Sequence, residues 1–363
     1  MNSPKIVFVG EAWGADEFGQ KHPFVGKAGA ELYNMLIDAG FPFPPIRKRF
    51  IAPSSMKKLW AESSVTLLNV FNCRPPDPEQ RNRVAYFFGS RHEETDTSYL
   101  AYNGKYPLSK YASDIELLKE NLRKLKPNVI VTLGNTAMWA LLGLNKISAE
   151  RGSVHESEFG KIIPTIHPAA ILRKWDDRPL VVADLIKARN EQDYPEFSRV
   201  SRKLWIEPDL EDLETFWTQH LEKSSLISID IETERYSQIS EIGFAADPYN
   251  AIHVPILRSV KNGNKFLSCK RYWETIPREV KAWNFIHKVC TSPNPKIFQN
   301  GLYDIFWLFD KMGIPVRNSL HDTMLLHHAR YIELQKSLGF LGATYLNEAS
   351  WKKFRRESNK PDE

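Results

Sequence analysis

The strongest constraint in this sequence is a unit that recurs four times before residue 200: a continuous apolar run, a glycine or proline loop, then a stretch with helical spacing. The runs are KIVFVG closing at Gly10, VTLLNVF before a proline-rich loop, NVIVTLG before a helix, and KIIPTIHP before AAILR. A run apolar at every position has no side to give to water, so it fits a parallel strand covered on both faces. After the first run, KAGAELYNMLIDAG places Leu32, Tyr33, Leu36 and Ile37 on one helical stripe and stops at Gly40. Four such units predict a three-layer α/β/α domain with a mostly parallel sheet and functional loops at the carboxyl ends of its strands. The long uncharged stretch Pro127 to Asn145 approaches the length of a membrane span, but Gly134, Asn135 and Thr136 interrupt it. It reads as a buried strand (Val129 to Leu133), a turn and a buried helix (Ala137 to Leu144), and no membrane partner is expected.

From Asn190 to Val200 the text turns polar and aperiodic, and KLWIE opens a new cycle. With 363 residues and roughly 100–200 per domain, two domains are expected, 1–198 and 199–363. The second reads as an acidic-start helix (Asp209 to Leu221), three successive strands (LISIDIET, EIGFAAD, AIHVPIL) and then helices, which predicts an α+β domain with a mixed sheet. The net charge of +5 is spread over two near-neutral halves, which excludes a globally basic tail. Phosphate contacts are therefore expected at local patches such as Arg47 to Arg49 and Lys352 to Arg356, the latter in a polar tail running from Trp351 to Glu363. Cys73, Cys269 and Cys290 form no CxxC pair, which excludes a disulfide framework or a cysteine-rich metal site. The N-terminal apolar run, Ile6 to Val9, is too short for a signal-peptide core, and a reducing, cytoplasmic setting is expected.

Four loops at strand ends carry the unusual residues of the first domain: GEAWGADEFGQKHPFVGKAG (Gly10 to Gly29), NVFNCRPP (Asn69 to Pro76), TLGNTA (Thr132 to Ala137) and IHPAAILR (Ile166 to Arg173). Gly26-Lys27 is not a phosphate loop, because Ala28 follows and position 21 is Lys. In this order the blocks resemble the uracil-DNA glycosylase superfamily, most closely its fourth, iron–sulfur type, over about residues 5 to 190. The resemblance implies a pocket for a base flipped out of DNA, with Phe24 stacking on the base and Asn69 reading its edge. It further implies that Glu11 holds or activates the attacking water, that His167 supports the charge on the departing base, and that Leu172 and Arg173 plug the emptied stack or hold phosphate. Two departures stand out. The type's cluster needs four cysteines and only Cys73 is present, so no iron–sulfur cluster is expected. Trp13 replaces the proline of the GEAPG block, which narrows the pocket or supplies a different stacking partner.

In the second domain LISIDIET puts Asp230 and Glu232 two apart on a strand, so both carboxylates face one side of the sheet. FQNGLYD adds Asn300, Tyr303 and Asp304 at a helix start, and HDTMLL adds Asp322. This pattern resembles the DEDD 3′-to-5′ exonucleases, particularly the proofreading domain of family A DNA polymerases, over about residues 203 to 347. The resemblance implies an RNase H-like fold in which Asp230, Glu232 and Asp304 hold Mg²⁺ or Mn²⁺, with Asn300 and Tyr303 near the DNA. Asp322 lies near that site without being the fourth ligand, which comes from a later Tyr-x-x-x-Asp motif. That motif has no match here: Tyr345 is followed four residues on by Ala349, and Asp362 is preceded four residues back by Ser358.

The expected function is therefore DNA base excision joined to metal-dependent 3′-to-5′ trimming, in replication or repair. Three readings of the missing motif are open: the front part of a split, phage-type family A polymerase whose partner polypeptide supplies the rest, a stand-alone degenerate exonuclease, or a shortened chain. The first is favoured, and it places the protein in a host cytoplasm. The alternative class is a catalytically inactive DNA-binding scaffold awaiting a polymerase chain.

Overall fold

A computed structural model describes residues 5–45, 51–75, 84–196, 200–234, 238–262 and 265–346. The basic patches expected at Arg47 to Arg49 and Lys352 to Arg356 lie outside them. The chain divides into two compact units, residues 1–198 with 339–358, and residues 199–338 with 359–363.

The first unit is built on β1 (Ile6–Gly10), β2 (Thr66–Asn69), β3 (Val129–Leu133), β4 (His155–Ser157) and β5 (Gly160–Thr165), in the sheet order β2-β1-β3-β5-β4. The four predicted strands run parallel, and β4 is an antiparallel edge added by a hairpin to β5. Every residue of β1 and β3 is buried because helices cover both faces. Ile6 and Phe8 pack with Leu32 and Leu36 of helix Lys27–Asp38 and with Val181 and Leu185 of helix Arg178–Glu191. Val7 and Val9 pack on the other side with Ile115, Leu118 and Leu122 of helix Ser109–Leu125 and with Ala137 and Trp139 of helix Asn135–Leu142. Each fully buried side chain of this size stabilises the fold by about 1.5–3 kcal/mol. The uncharged stretch is thus a strand, a turn at Gly134 and a helix, and no described helix is long and apolar enough to cross a membrane. The chain leaves β1 toward β2 on one side and β3 on the other, so the crevice between the carboxyl ends of β1 and β3 is the switch point where open α/β sheets bind ligands.

Residues 339–346 group with the first unit in the structure. Helix Leu338–Tyr345 is fixed there by charge rather than by apolar burial alone. Lys187 donates to the carbonyls of Gly152, Ala343 and Leu346, each at 2.6 Å, so an ammonium sits at the helix C-terminus. Burial pulls that ammonium down to about 8. Beside it Arg151 pairs with the buried Asp184 and lies over the Phe340 ring.

The second unit is a six-stranded mixed sheet of β6 (Lys203–Trp205), β7 (Ile227–Glu234), β8 (Gln238–Ala245), β9 (Asn250–Pro255), β10 (Lys296–Phe298) and β11 (Ser319–Asp322), in the order β11-β10-β7-β8-β9-β6. The β7, β8 and β9 strands form the antiparallel meander, while β10, β11 and β6 add in parallel. Period-two alternation sends Ile227, Ile229 and Ile231 inward against Phe285, Ile286 and Val289 of helix Ile276–Thr291. Ser228, Asp230 and Glu232 consequently face outward. On that open face a groove of about 400 Å³ is floored by Asp230, Gly243, Ala245 and Ala251.

Candidate functional site

The first site is assembled over Gly10, the last residue of β1, which stands in register with Asn69 at the end of β2. A Cβ on Gly10 would lie 2.5 Å from the Asn69 amide and 2.5 Å from Phe24 Cζ, so both side chains close over a position that tolerates none. Phe24 is buried and adopts a left-handed backbone, φ 57°, an uncommon conformation for a residue with a Cβ. Two contacts impose it. Trp60 Nε1 donates to the Phe24 carbonyl at 2.7 Å, and Gly29 leaves room for that carbonyl, which would stand 1.7 Å from any Cβ there.

His167 follows β5, and its ring stacks toward Phe24 with centroids 6.0 Å apart and planes at 30°. Its Nδ1 accepts the Ala169 N–H at 3.1 Å, capping the short helix Pro168–Ile171, so the neutral ring carries its proton on Nε2. Burial first and the nearby Arg173 charge second push it down to about 4, which keeps the imidazole neutral at physiological pH. Gly134, at φ 92°, permits the approach of His167. Across the switch-point crevice Thr136 Oγ1 donates to Glu11 Oε2 at 2.6 Å, fixing the carboxylate at the end of β1.

Trp13 is held by its backbone N–H on Cys73 O at 3.2 Å, and its ring meets Phe18 edge-on at 6.4 Å. Lys21 Nζ lies 4.1 Å from the Phe18 ring and 5.6 Å from that of Trp13. The indole N–H points at the Asn69 amide. A donor needs an acceptor, so the amide is oriented with Oδ1 accepting from Trp13 Nε1 at 3.3 Å and Nδ2 donating to Leu68 O at 3.1 Å. Leu172 and Arg173 are exposed just beyond His167. Trp175, which the sequence reading passed over, is 59% exposed on the same loop and lies against Arg178, itself anchored to Glu31 and Asp38. Cys73, Cys269 and Cys290 are free thiols, and burial raises that of Cys73.

In the second unit the helix Leu302–Phe306 brings Asp304 under β7. Pairing of β7 with β10 ends at Ser228, and beyond it Asp304 Oδ1 accepts the Ile231 N–H at 2.9 Å in place of a ladder partner. Asp304 is 4% exposed, and burial, with Asp230 and Asp322 adding repulsion, raises it to about 6. Burial, then Glu232 and Glu241, also raise Asp230. Asp322 is fully committed to backbone: Oδ1 accepts from Asn300, Met324 and Leu325, and Oδ2 from Gly301. It thereby caps helix Thr323–Arg330 and pins the turn at Asn300, φ 61°, that launches Asp304. Tyr303 shares a 2.7 Å hydrogen bond with Thr233 on β7, and Asn300 is exposed. Asp230 thus feels both Glu232 and Asp304, and hard carboxylate oxygens suit a divalent cation. Among the described residues, however, no three such side chains form a group ready to hold one.

Comparisons with known proteins cover both parts of the chain. The family profile described as uracil DNA glycosylase superfamily matches residues 1–189, and that described as 3′-5′ exonuclease matches residues 206–360. A type-4 uracil-DNA glycosylase of Thermotoga maritima is 29% identical over 51% of this chain and 77% of its own length. One from Archaeoglobus fulgidus is 33% identical over 46% of this chain and 67% of its own. A DNA polymerase of Bacillus phage SP01 is 25% identical over 57% of this chain, a stretch that makes up only 24% of that polymerase. A crystal structure of the EXD2 exonuclease domain soaked in Mn and GMP superposes with a TM-score of 0.26 at 16% identity, over 42% of this chain and 74% of that one. With 189 of its 363 residues matched, the chain belongs to the uracil DNA glycosylase superfamily and carries a 3′-5′ exonuclease domain behind that part, as a DNA-processing protein related to a phage DNA polymerase.

Proposed function

We propose that the first domain binds a pyrimidine turned out of DNA and hydrolyses its glycosidic bond. The observation that carries this reading is the convergence of Phe24 and Asn69 over Gly10, with His167 stacked toward Phe24. Extruding a base costs a few kcal/mol, which ring contact with Phe24 and hydrogen bonds to Asn69 offset. A water held by Glu11 attacks C1′ as the C1′–N1 bond breaks, the bonding pair leaves with the base, and Glu11 takes the water's proton. His167, neutral, donates Nε2–H to the base oxygen on which negative charge grows, and the preorganised dipole costs no reorganisation. The exposed Leu172, Arg173 and Trp175 fit contact with the strand left behind. No iron–sulfur cluster takes part, since the first domain offers one cysteine.

For the second domain the proposed activity is removal of nucleotides from DNA 3′ ends with Mg²⁺ or Mn²⁺. Asp230, Glu232 and Asp304 would hold the cations, whose chemistry is to lower the pKa of water and to neutralise the leaving 3′ oxygen. Asp304 must surrender its proton to serve, and Tyr303 and Asn300 stand beside it for the strand. A polymerase polypeptide that completes the site is proposed as partner. Leu302, Phe306 and Phe309, all exposed around the Asp304 helix, support it. The free cysteines support a reducing, cytoplasmic setting.

One observation favours the second reading, a non-catalytic DNA-binding scaffold: Trp13 takes one acceptor position of the buried Asn69. The two are separated by a gel assay of the full chain on a 5′-labelled single strand with one uracil, in EDTA or Mn²⁺, followed by alkali. Base excision gives one discrete band in EDTA, and 3′ trimming gives a ladder only with Mn²⁺. The absence of both products, at enzyme in excess over strand, would overturn the enzymatic reading.

A further inference from the structure

The proposed base site contains a competitor for the base. Reading a uracil edge needs an acceptor for its ring N–H and a donor for its carbonyl, and one side-chain amide offers both. In this chain Asn69 Oδ1 already accepts from Trp13 Nε1 at 3.3 Å, while Nδ2 donates to Leu68 O at 3.1 Å. Each bond uses one of the amide's two acceptor and two donor positions, but Asn69 is 5% exposed, so an incoming base reaches the remaining positions only if the neighbouring indole gives way. Trp13 is held in place from three directions. Its own N–H is bonded to Cys73 O, its ring edge rests on Phe18, and Lys21 lies over both rings. The outer part of this stack is movable, since Phe18 is 47% exposed and Lys21 is exposed too.

We propose that Trp13 is a gate and a specificity element: its indole N–H stands in for the ring N–H of the base on Asn69, and a base enters only when the indole swings out toward Phe18 and Lys21. This rests on the base-pocket reading above. The device sets a threshold, because a base that offers a matching N–H repays the lost indole bond and one that does not leaves the amide oxygen unpaired in a buried site. Breaking the indole bond is expected to weaken uracil binding about tenfold relative to an open pocket.

The test measures the affinity of the full-length protein, in EDTA, for a single strand bearing one 2′-fluoro-2′-deoxyuridine, whose glycosidic bond resists cleavage, against the same strand with 2′-deoxycytidine, whose N3 carries no hydrogen. Trp13→Phe keeps the ring and the backbone donor to Cys73 and removes only the indole N–H, while Trp13→Ala also removes the bulk. The inference expects Trp13→Phe to bind the uracil strand about tenfold tighter than the parent, with Trp13→Ala at least as tight. Adding Asn69→Ala to Trp13→Phe should return the affinity to that of the deoxycytidine strand. If parent and Trp13→Phe bind equally while Asn69→Ala weakens both, the pocket reading stands and the gate is refuted. If only Trp13→Ala gains, bulk rather than the hydrogen bond closes the site, and the stated device is overturned. If no variant prefers the uracil strand and Asn69→Ala changes nothing, the pocket reading itself fails and takes the gate with it. Unchanged far-UV circular dichroism for each variant guards against loss of fold.

Discussion

Gly29→Ala is the substitution on which the geometry of the first site bears hardest. The added methyl would start 1.7 Å from the Phe24 carbonyl oxygen and 2.2 Å from its carbonyl carbon, distances no relaxation of a side chain can relieve. The carbonyl has to move, and it is the acceptor of Trp60 Nε1 at 2.7 Å. Overpacking of this kind costs about 1–3 kcal/mol, and a buried indole N–H left unpaired costs a further ~1–3 kcal/mol. Alanine's better helix propensity returns ~1 kcal/mol, leaving a net loss of about 1–5 kcal/mol, centred near 3, for the first unit. For a domain of this size that is a fall in Tm of roughly 10 °C. Gly19→Ala is the matched control, because nothing lies within 4 Å of its Cβ and it too sits in a helix, Ala15–Gln20. Hydrogen–deuterium exchange of peptides covering β1 and β3, followed against urea, reads the first unit alone. Exchange in Gly29→Ala within 0.5 kcal/mol of the parent would refute the claim that Gly29 holds Phe24 in its left-handed pose.

Three further outcomes follow from the charges. Asp304 ionises near 6 when folded against an ordinary value near 3.8, so its ionisation opposes folding, and that cost appears as pH rises from about 4 through 6. Asp304→Asn keeps the acceptor for Ile231 N–H and should stabilise the metal-free second unit at pH 7 by on the order of 1–3 kcal/mol, with no gain at pH 4 in urea melts. His167 has the opposite sign of shift for a base: it stays neutral down to about 4, so the fold loses stability as pH falls from the ordinary histidine range toward that value. An NMR titration should place its midpoint near 4, and one above 6 would contradict the neutral-donor assignment. Lys187→Met strips the carbonyls of Gly152, Ala343 and Leu346 of their donor, so peptides covering 339–346 should exchange several-fold faster while those of β1 are unchanged.

What was legible in the sequence follows from what periodicity encodes. The runs KIVFVG and NVIVTLG became fully buried parallel strands because a run apolar at each position has one way to be satisfied. LISIDIET disclosed both its inward isoleucines and its outward carboxylates, since alternation is itself the signal. By contrast His155–Ser157 is too short and polar to announce itself as β4, and its pairing is set by the hairpin with β5. The helix expected over Asp209 to Leu221 is α-helical for Leu210–Phe216 and widens to a π-type turn at Trp217–Leu221. The strand read in AIHVPIL ends at Pro255, and Leu257–Asn262 turns away to pair with Lys265–Arg271.

At the sites, the motif residues could be named from sequence, but their partners could not. Nothing near Glu11 in the chain points to Thr136, 125 positions on, and nothing near Phe24 points to Trp60. Asp304 was readable as an acid at a helix start; that it takes an unpaired strand N–H and is pushed up to about 6 depends on where β10 stops. Asp322 was readable as close to the site, and its four backbone bonds explain why it organises the turn instead of facing outward. The docking of residues 339–346 on Lys187 has no local signature, because a lone lysine in an amphipathic stretch reads as a solvated one.

The central claim is that a base leaves the stack and is held by Phe24 and Asn69. It is tested most directly with a duplex carrying 2-aminopurine beside a single uracil, whose fluorescence rises when its neighbour unstacks. The account predicts a rise on adding the full-length protein in EDTA, a larger one with Trp13→Phe, and its loss when Phe24→Ala or Asn69→Ala is added to that variant. A rise that survives both substitutions would place the base elsewhere and contradict the account.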